Sequence, residues 1–162
     1  MKPLPLDPRD KIAHHVDVIF GHGTSSALAS EPELQFEYSR RTGRIKNFSI
    51  GSCLAATLRT DGGLALTIHG AKYFLSTSKQ FLNNCVIPMQ EAEPFISEGR
   101  SLFCRHVEWC GPNVHAGSDV AVISKDNRVL AVGIALVDST LMRDYQKGVA
   151  VKVREGLKSR TE

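Results

Sequence analysis

The chain has 162 residues, the length of one domain or of two small ones sharing a core, and too short for a (β/α)8 barrel of about 250 residues. Its 42% apolar and 23% charged residues are the balance of a folded soluble protein, and no apolar run approaches the ~18 residues of a membrane span. The net charge of +3 excludes a polycation, yet the cations are uneven: they gather at Arg40-Arg41-Thr42-Gly43-Arg44-Ile45-Lys46 and in a tail holding Lys147, Lys152, Arg154, Lys158 and Arg160. Two such clusters fit either a phosphate backbone met over a limited footprint or two solvated faces. The start, Met1-Lys2-Pro3-Leu4-Pro5-Leu6-Asp7-Pro8, has three prolines and no apolar stretch, so no secretory signal is expected. Cys53, Cys85, Cys104 and Cys110 are scattered and are expected to be reduced thiols in a cytoplasmic protein.

In chain order, Ile12, His15, Val16, Ile19 and Phe20 recur at helical spacing over 9–20, and Gly21-His22-Gly23 ends that helix. Of His14 and His15, one is expected to face the core. Residues 24–30 are small and polar, a loop or a short helix. Three strand-like runs follow, 34–38, 44–50 and 54–59, separated by Arg41-Thr42-Gly43, Gly51-Ser52 and Asp61-Gly62-Gly63, an antiparallel meander. After Leu64-Ala65-Leu66, residues 67–76 place Ile68, Ala71, Phe74 and Leu75 on one helical face. The polar stretch 77–84 precedes a change of pattern, and the domains are expected to be 1–88 and 89–162. Beyond it come a strand at 85–87, a helix at 91–98 ended by Gly99, and a strand at 101–107. A hairpin over 119–124 and 129–137 follows, then a helix at 140–146 packing through Leu141, Met142 and Tyr145, and a strand at 149–154. Strands this short and dense predict an α+β chain: a small α/β accessory subdomain followed by a β pseudobarrel.

Pro112-Asn113-Val114, Asp119-Val120-Ala121-Val122, Val129-Leu130-Ala131-Val132-Gly133-Ile134-Ala135 and Lys147-Gly148-Val149-Ala150-Val151 resemble a PUA domain. This is the small RNA-binding pseudobarrel of pseudouridine synthases and archaeosine transglycosylases. Upstream, Phe20-Gly21-His22-Gly23, Glu37 to Ile45, Glu91-Ala92-Glu93-Pro94-Phe95 and Gly99-Arg100-Ser101-Leu102-Phe103 are similar to the C-terminal half of archaeal tRNA-guanine transglycosylase, collinear over essentially the whole chain. Two positions depart from the pattern: Asn113 stands where a glycine is usual, and Ser118 where an acidic residue is common. That family exchanges guanine in the tRNA D-loop for an archaeosine precursor, on a barrel carrying an Asp nucleophile and a zinc ion.

This chain has no room for that barrel, so the resemblance implies no catalytic residue, no metal and no cofactor. Cys104, His106 and Cys110 lie close together, but zinc wants four ligands with regular spacing, and buried thiols are the better reading. The Pro-Cys and Lys-Pro-Tyr motifs of the related archaeosine synthase are missing. The resemblance therefore implies a tRNA-binding, non-catalytic subunit of a split transglycosylase that grips the acceptor stem and 3′ CCA end. The implied contacts are Gly99, Arg100, Ser101, Phe103, Arg105, Lys147, Gly148, Lys152 and Arg154, with Arg40, Arg41 and Arg44 added at the hairpin tip. The expected partners are tRNA and a catalytic transglycosylase chain, docked through residues such as Phe20, Phe36 and Tyr73. No membrane is involved, and a homodimer is left open. The alternative is a free-standing PUA adaptor in ribosome assembly or translation.

Overall fold

Helix α1 (Pro8–Phe20) starts where the Asp7 carboxylate accepts the Arg9 N–H at 2.8 Å and Pro8 occupies the first helical position. The structure, a computed structural model, describes residues 7–161. The proline-rich start before Asp7, the side chains of Arg160 and Thr161, and Glu162 lie outside the described residues. One face of α1 buries Ile12, Val16 and Phe20. Strands β1 (Leu34–Tyr38), β2 (Ile45–Ile50), β3 (Cys53–Leu58) and β4 (Leu64–Leu66) form an antiparallel meander in the order β1-β2-β3-β4, as the turn chemistry predicts. Helix α2 (Ile68–Thr77) is capped by Thr67, whose hydroxyl accepts the Gly70 N–H at 3.0 Å, and it lies on β3. Phe20, Phe74 and Phe81 meet beneath it with ring centroids 5.4–6.2 Å apart. Each buried ring contributes about 1.5–3 kcal/mol of transfer free energy.

The second sheet contains β5 (Cys85–Pro88), β6 (Leu102–Phe103), β7 (Val107–Cys110), β8 (Asp119–Ile123), β9 (Val129–Ala135) and β10 (Val149–Gly156), in the order β6-β10-β9-β8-β5-β7. β5 runs parallel to β8 and every other pairing is antiparallel. The result is the nearly closed barrel-like sheet that the strand density predicts. Two short helices decorate it, α3 (Glu93–Ser97) and α4 (Ser139–Met142). The two halves share a core: Ala121, Ile123, Val129 and Val132 of the barrel pack in one cluster with Val16, Phe20, Leu66 and Phe74.

The structure corrects three details. The strand expected at 101–107 is broken into β6, a 3-10 turn over Cys104–His106, and β7. The cause is topological. β6 pairs with β10 at one edge of the sheet and β7 pairs with β5 at the other, so this segment must turn a corner to bring the edges together. The helix expected at 140–146 ends at Met142, which alone of its three apolar residues is buried; Leu141 and Tyr145 are exposed. Phe20, expected on a docking surface, is 1% exposed, and Phe36 and Tyr73 are half-buried. β5 pairs inside the second sheet, with β7 and β8.

Candidate nucleic-acid interface

Helix α3 ends in a Schellman turn. The Gly99 N–H donates to the Ile96 carbonyl at 2.9 Å and the Arg100 N–H donates to the Phe95 carbonyl at 3.1 Å. Gly99 sits at φ +100°, where a side chain would be strained. This turn folds Arg100 back over the helix it has left, and its Cζ lies 5.6 Å from the centroid of the Phe95 ring. A second pair repeats the arrangement on the neighbouring corner, with Arg105 Cζ 5.8 Å from the centroid of Phe103. Both rings are large and open, Phe95 at 52% and Phe103 at 44% exposure. Between them lies an open groove of about 370 Å³, lined by Phe95, Ile96, Arg100, Leu102, Phe103 and Arg105. On the other side of Phe103, a smaller notch of about 220 Å³ is completed by Gln146, Lys147 and Gly148.

The chemistry of this surface is specific. An aromatic ring under a guanidinium is a stacking platform with a fixed positive charge beside it. Unpaired nucleobases bind such platforms, and their phosphates bind the cation. Gly99, Arg100, Ser101, Phe103, Arg105, Lys147 and Gly148, singled out in the sequence, are brought together here. Lys152 is exposed on β10 outside the groove lining, and the Ser101 hydroxyl accepts the Val153 N–H at 3.4 Å. Phe95 was missed as a site residue. Its only signal was a phenylalanine four residues before the glycine that ends a helix.

Arg154 is placed elsewhere. Its guanidinium turns inward, donates to the Leu66 carbonyl, and stands 4.0 Å from the Asp119 carboxylate. Asp119 also accepts from Arg59 at 3.1 Å and from the Leu64 N–H at 3.1 Å. Burial pushes the Asp119 carboxyl above the usual range, against the pull of Arg59 and Arg154. Burial likewise lowers the Arg154 guanidinium, with Asp119 opposing. Arg154 therefore bridges the two halves of the chain, with its side chain 37% exposed.

Arg40, Arg41 and Arg44 occupy the exposed β1–β2 turn, closed by Ser39 N–H to the Arg44 carbonyl at 2.8 Å with Gly43 at φ +70°. Lys46 is engaged with Glu37 at 3.8 Å. Among the described residues, no three His, Cys, Asp or Glu side chains group as metal ligands, and Cys104 and His106 lie on a 3-10 turn. His15 Nε2 meets the Gly62 carbonyl at 2.7 Å while His14 is exposed.

The domain assignment follows from comparison. Residues 11–80 match the patch-forming domain C2 of tRNA-guanine transglycosylase, and residues 86–157 match the PUA domain. The chain is a C2 patch-forming domain followed by a PUA domain. It is 33% identical over 153 residues to a tRNA-guanine(15) transglycosylase of Methanobrevibacter smithii, covering 94% of this chain and 23% of that protein. With the enzyme of the same name from Thermococcus kodakarensis it shares 31% over 157 residues, 96% of this chain and 26% of that one. The C2–PUA chain thus spans about a quarter of the length of the curated relatives it matches. The same fold occurs in a hypothetical protein of Pyrococcus horikoshii, with TM-score 0.68 and 19% identity, covering 94% of this chain and 92% of that one. It also occurs in a PUA domain from Aeropyrum pernix, with TM-score 0.60 and 17% identity, covering 96% and 85%. Among the described residues, no helix is long and apolar enough to cross a membrane.

Proposed function

We propose that the C2–PUA chain is a tRNA-binding, non-catalytic subunit of a split tRNA-guanine transglycosylase, holding the acceptor stem and 3′ CCA end while a separate catalytic chain exchanges a D-loop guanine in archaeosine biosynthesis. The observation that carries this reading is the groove on the PUA half, with its two exposed rings each under an arginine. The groove has the chemistry of a single-stranded RNA end, and the match to transglycosylase relatives over both halves supplies the tRNA context. Arg100 and Arg105, with Lys147 and Lys152 nearby, neutralise phosphates. Arg40, Arg41 and Arg44 add a second contact. Gripping the acceptor end far from the reacting base supplies binding energy that orients the D-arm. The site of action is the cytoplasm.

The test is binding to a tRNA carrying a D-loop guanine, intact and with the CCA end trimmed, over a salt series. A loss of tenfold or more on trimming is the expected result. Equal affinity for both, with only a salt slope, refutes the acceptor-end grip and favours an adaptor that meets phosphate without sequence. Base exchange by the chain alone would refute the non-catalytic role.

A further inference from the structure

β4 is the outer strand of the first sheet, and its outward backbone groups are met by side chains of the second half. Asp119 accepts the Leu64 N–H, and Arg154 donates to the Leu66 carbonyl. Arg59, in the turn that leads into β4, reaches the same carboxylate. Asp119 is 3% exposed, and its carboxylate accepts from Arg59 and the Leu64 N–H with the Arg154 guanidinium 4.0 Å away. A buried ionic clasp is a weak source of stability beside apolar packing, and Leu64, Leu66, Ile123 and Val132 already hold the halves together. What the clasp adds is direction, because a carboxylate held by two fixed donors beside a third, nearby guanidinium accepts one orientation.

Strand register shows what is oriented. Asn47 pairs with Thr57, so the Arg40–Arg44 turn and the Arg59–Gly63 turn project from the same end of the first sheet. Asp119 pairs with Ile134, Ala135 pairs with Val151, and Val149 pairs with Phe103. The groove around Phe103 therefore lies at the end of the second sheet where Asp119 begins β8. Both cationic surfaces sit at the clasp end of their sheets. Arg40, Arg41 and Arg44 make no ion pair among the described residues.

We propose that Asp119, Arg59 and Arg154 are positioning residues for RNA: their clasp holds the Arg40–Arg44 turn and the Phe95–Phe103 groove in one fixed relation, so that a single structured RNA meets both. This rests on the RNA-binding reading above. With the halves fixed, engagement of the groove makes the turn's contact intramolecular; with the halves free to rotate, that gain in effective concentration falls.

The experiment compares a full-length tRNA with a short single-stranded oligonucleotide ending in CCA, by fluorescence anisotropy. The proteins are the full chain, Asp119→Asn, Arg154→Met, and the surface triple Arg40→Ala/Arg41→Ala/Arg44→Ala alone and combined with each clasp variant. The clasp variants are expected to bind tRNA about tenfold or more weakly and the oligonucleotide within about twofold of the unaltered chain. The turn triple is expected to weaken tRNA binding in the unaltered chain and to have little further effect in a clasp variant. Unchanged tRNA affinity, equal loss on both RNAs in a folded variant, or full additivity of turn and clasp overturns the proposal. If Asp119→Asn fails to melt cooperatively, Arg154→Met, which keeps the Asp119–Arg59 pair, decides by the same criteria. An unaltered chain that binds neither RNA defeats the RNA-binding reading itself, and the proposal with it.

Discussion

At the scale of the residue, the site depends on where two arginines rest. Arg100 reaches Phe95 because Gly99 closes α3 in a Schellman turn, whose last residue habitually contacts the helix at the position Phe95 holds. The guanidinium stays beside the ring without losing its hydration, since both groups are exposed. Phe95→Ala is expected to weaken binding of CCA-ending RNA by about 1–3 kcal/mol, roughly fivefold to more than a hundredfold. The melting temperature should move little, because Phe95 is 52% exposed and contributes little to the core. Anisotropy titration together with a thermal melt checks both halves of that expectation. Arg100, Phe103 and Arg105 were singled out in the sequence only through the resemblance to PUA domains. Phe95 was not, because its pairing depends on the turn's geometry.

At the scale of the element, α2 shows how closely a helix can approach a sheet. A Cβ built on Gly70 would lie 2.1 Å from the Ala55 carbonyl oxygen on β3, too near for any side chain without backbone movement. Gly70→Ala adds helix propensity of about 1 kcal/mol. Overpacking against a main-chain oxygen costs about 1–3 kcal/mol. Strain is expected to win, and the variant should melt below the unaltered chain in a denaturant titration; an equal or higher midpoint would show that α2 can lift from β3. The periodicity of 67–76 predicts the helix and its buried face correctly. The broken strand at 101–107 was not legible, because alternation looks the same in a straight strand and in one that turns a barrel corner. The corner is imposed by pairing to β10 on one side and β5 on the other.

At the scale of the whole molecule, the fold is tied together by contacts far apart in sequence, and its stability should follow the groups they bury. Tyr73 on α2 donates its hydroxyl to Glu31 at 3.2 Å. Burial, with the Glu31 charge and hydrogen bond adding to it, pushes the phenol from its ordinary 10 to about 12. Between those values the unfolded chain ionises while the folded chain keeps its proton. Stability from this group is therefore complete below about pH 10 and is lost as pH rises toward 12. Tyr73→Phe should remove that part of the alkaline decline, which denaturant midpoints measured at pH 9, 10.5 and 12 would show as converging curves. Cys110 is raised in the same sense, to about 11, by burial, so part of the decline should persist in the variant.

Sequence by itself determined α1, the meander, the 119–135 hairpin and the last strand. These features are written in hydrophobic period and turn residues, which act over a few neighbouring positions. Tertiary structure alone decided that Arg154 reaches Leu66 and Asp119, that Phe95 shares a groove with Phe103, and that Phe20 is core. Arg59 and Asp119 are 60 residues apart in the chain, and Arg154 and Leu66 are 88 apart. A basic side chain has the same composition whether it meets solvent, phosphate or a buried carboxylate, and only the packing of two sheets against one another selects among them.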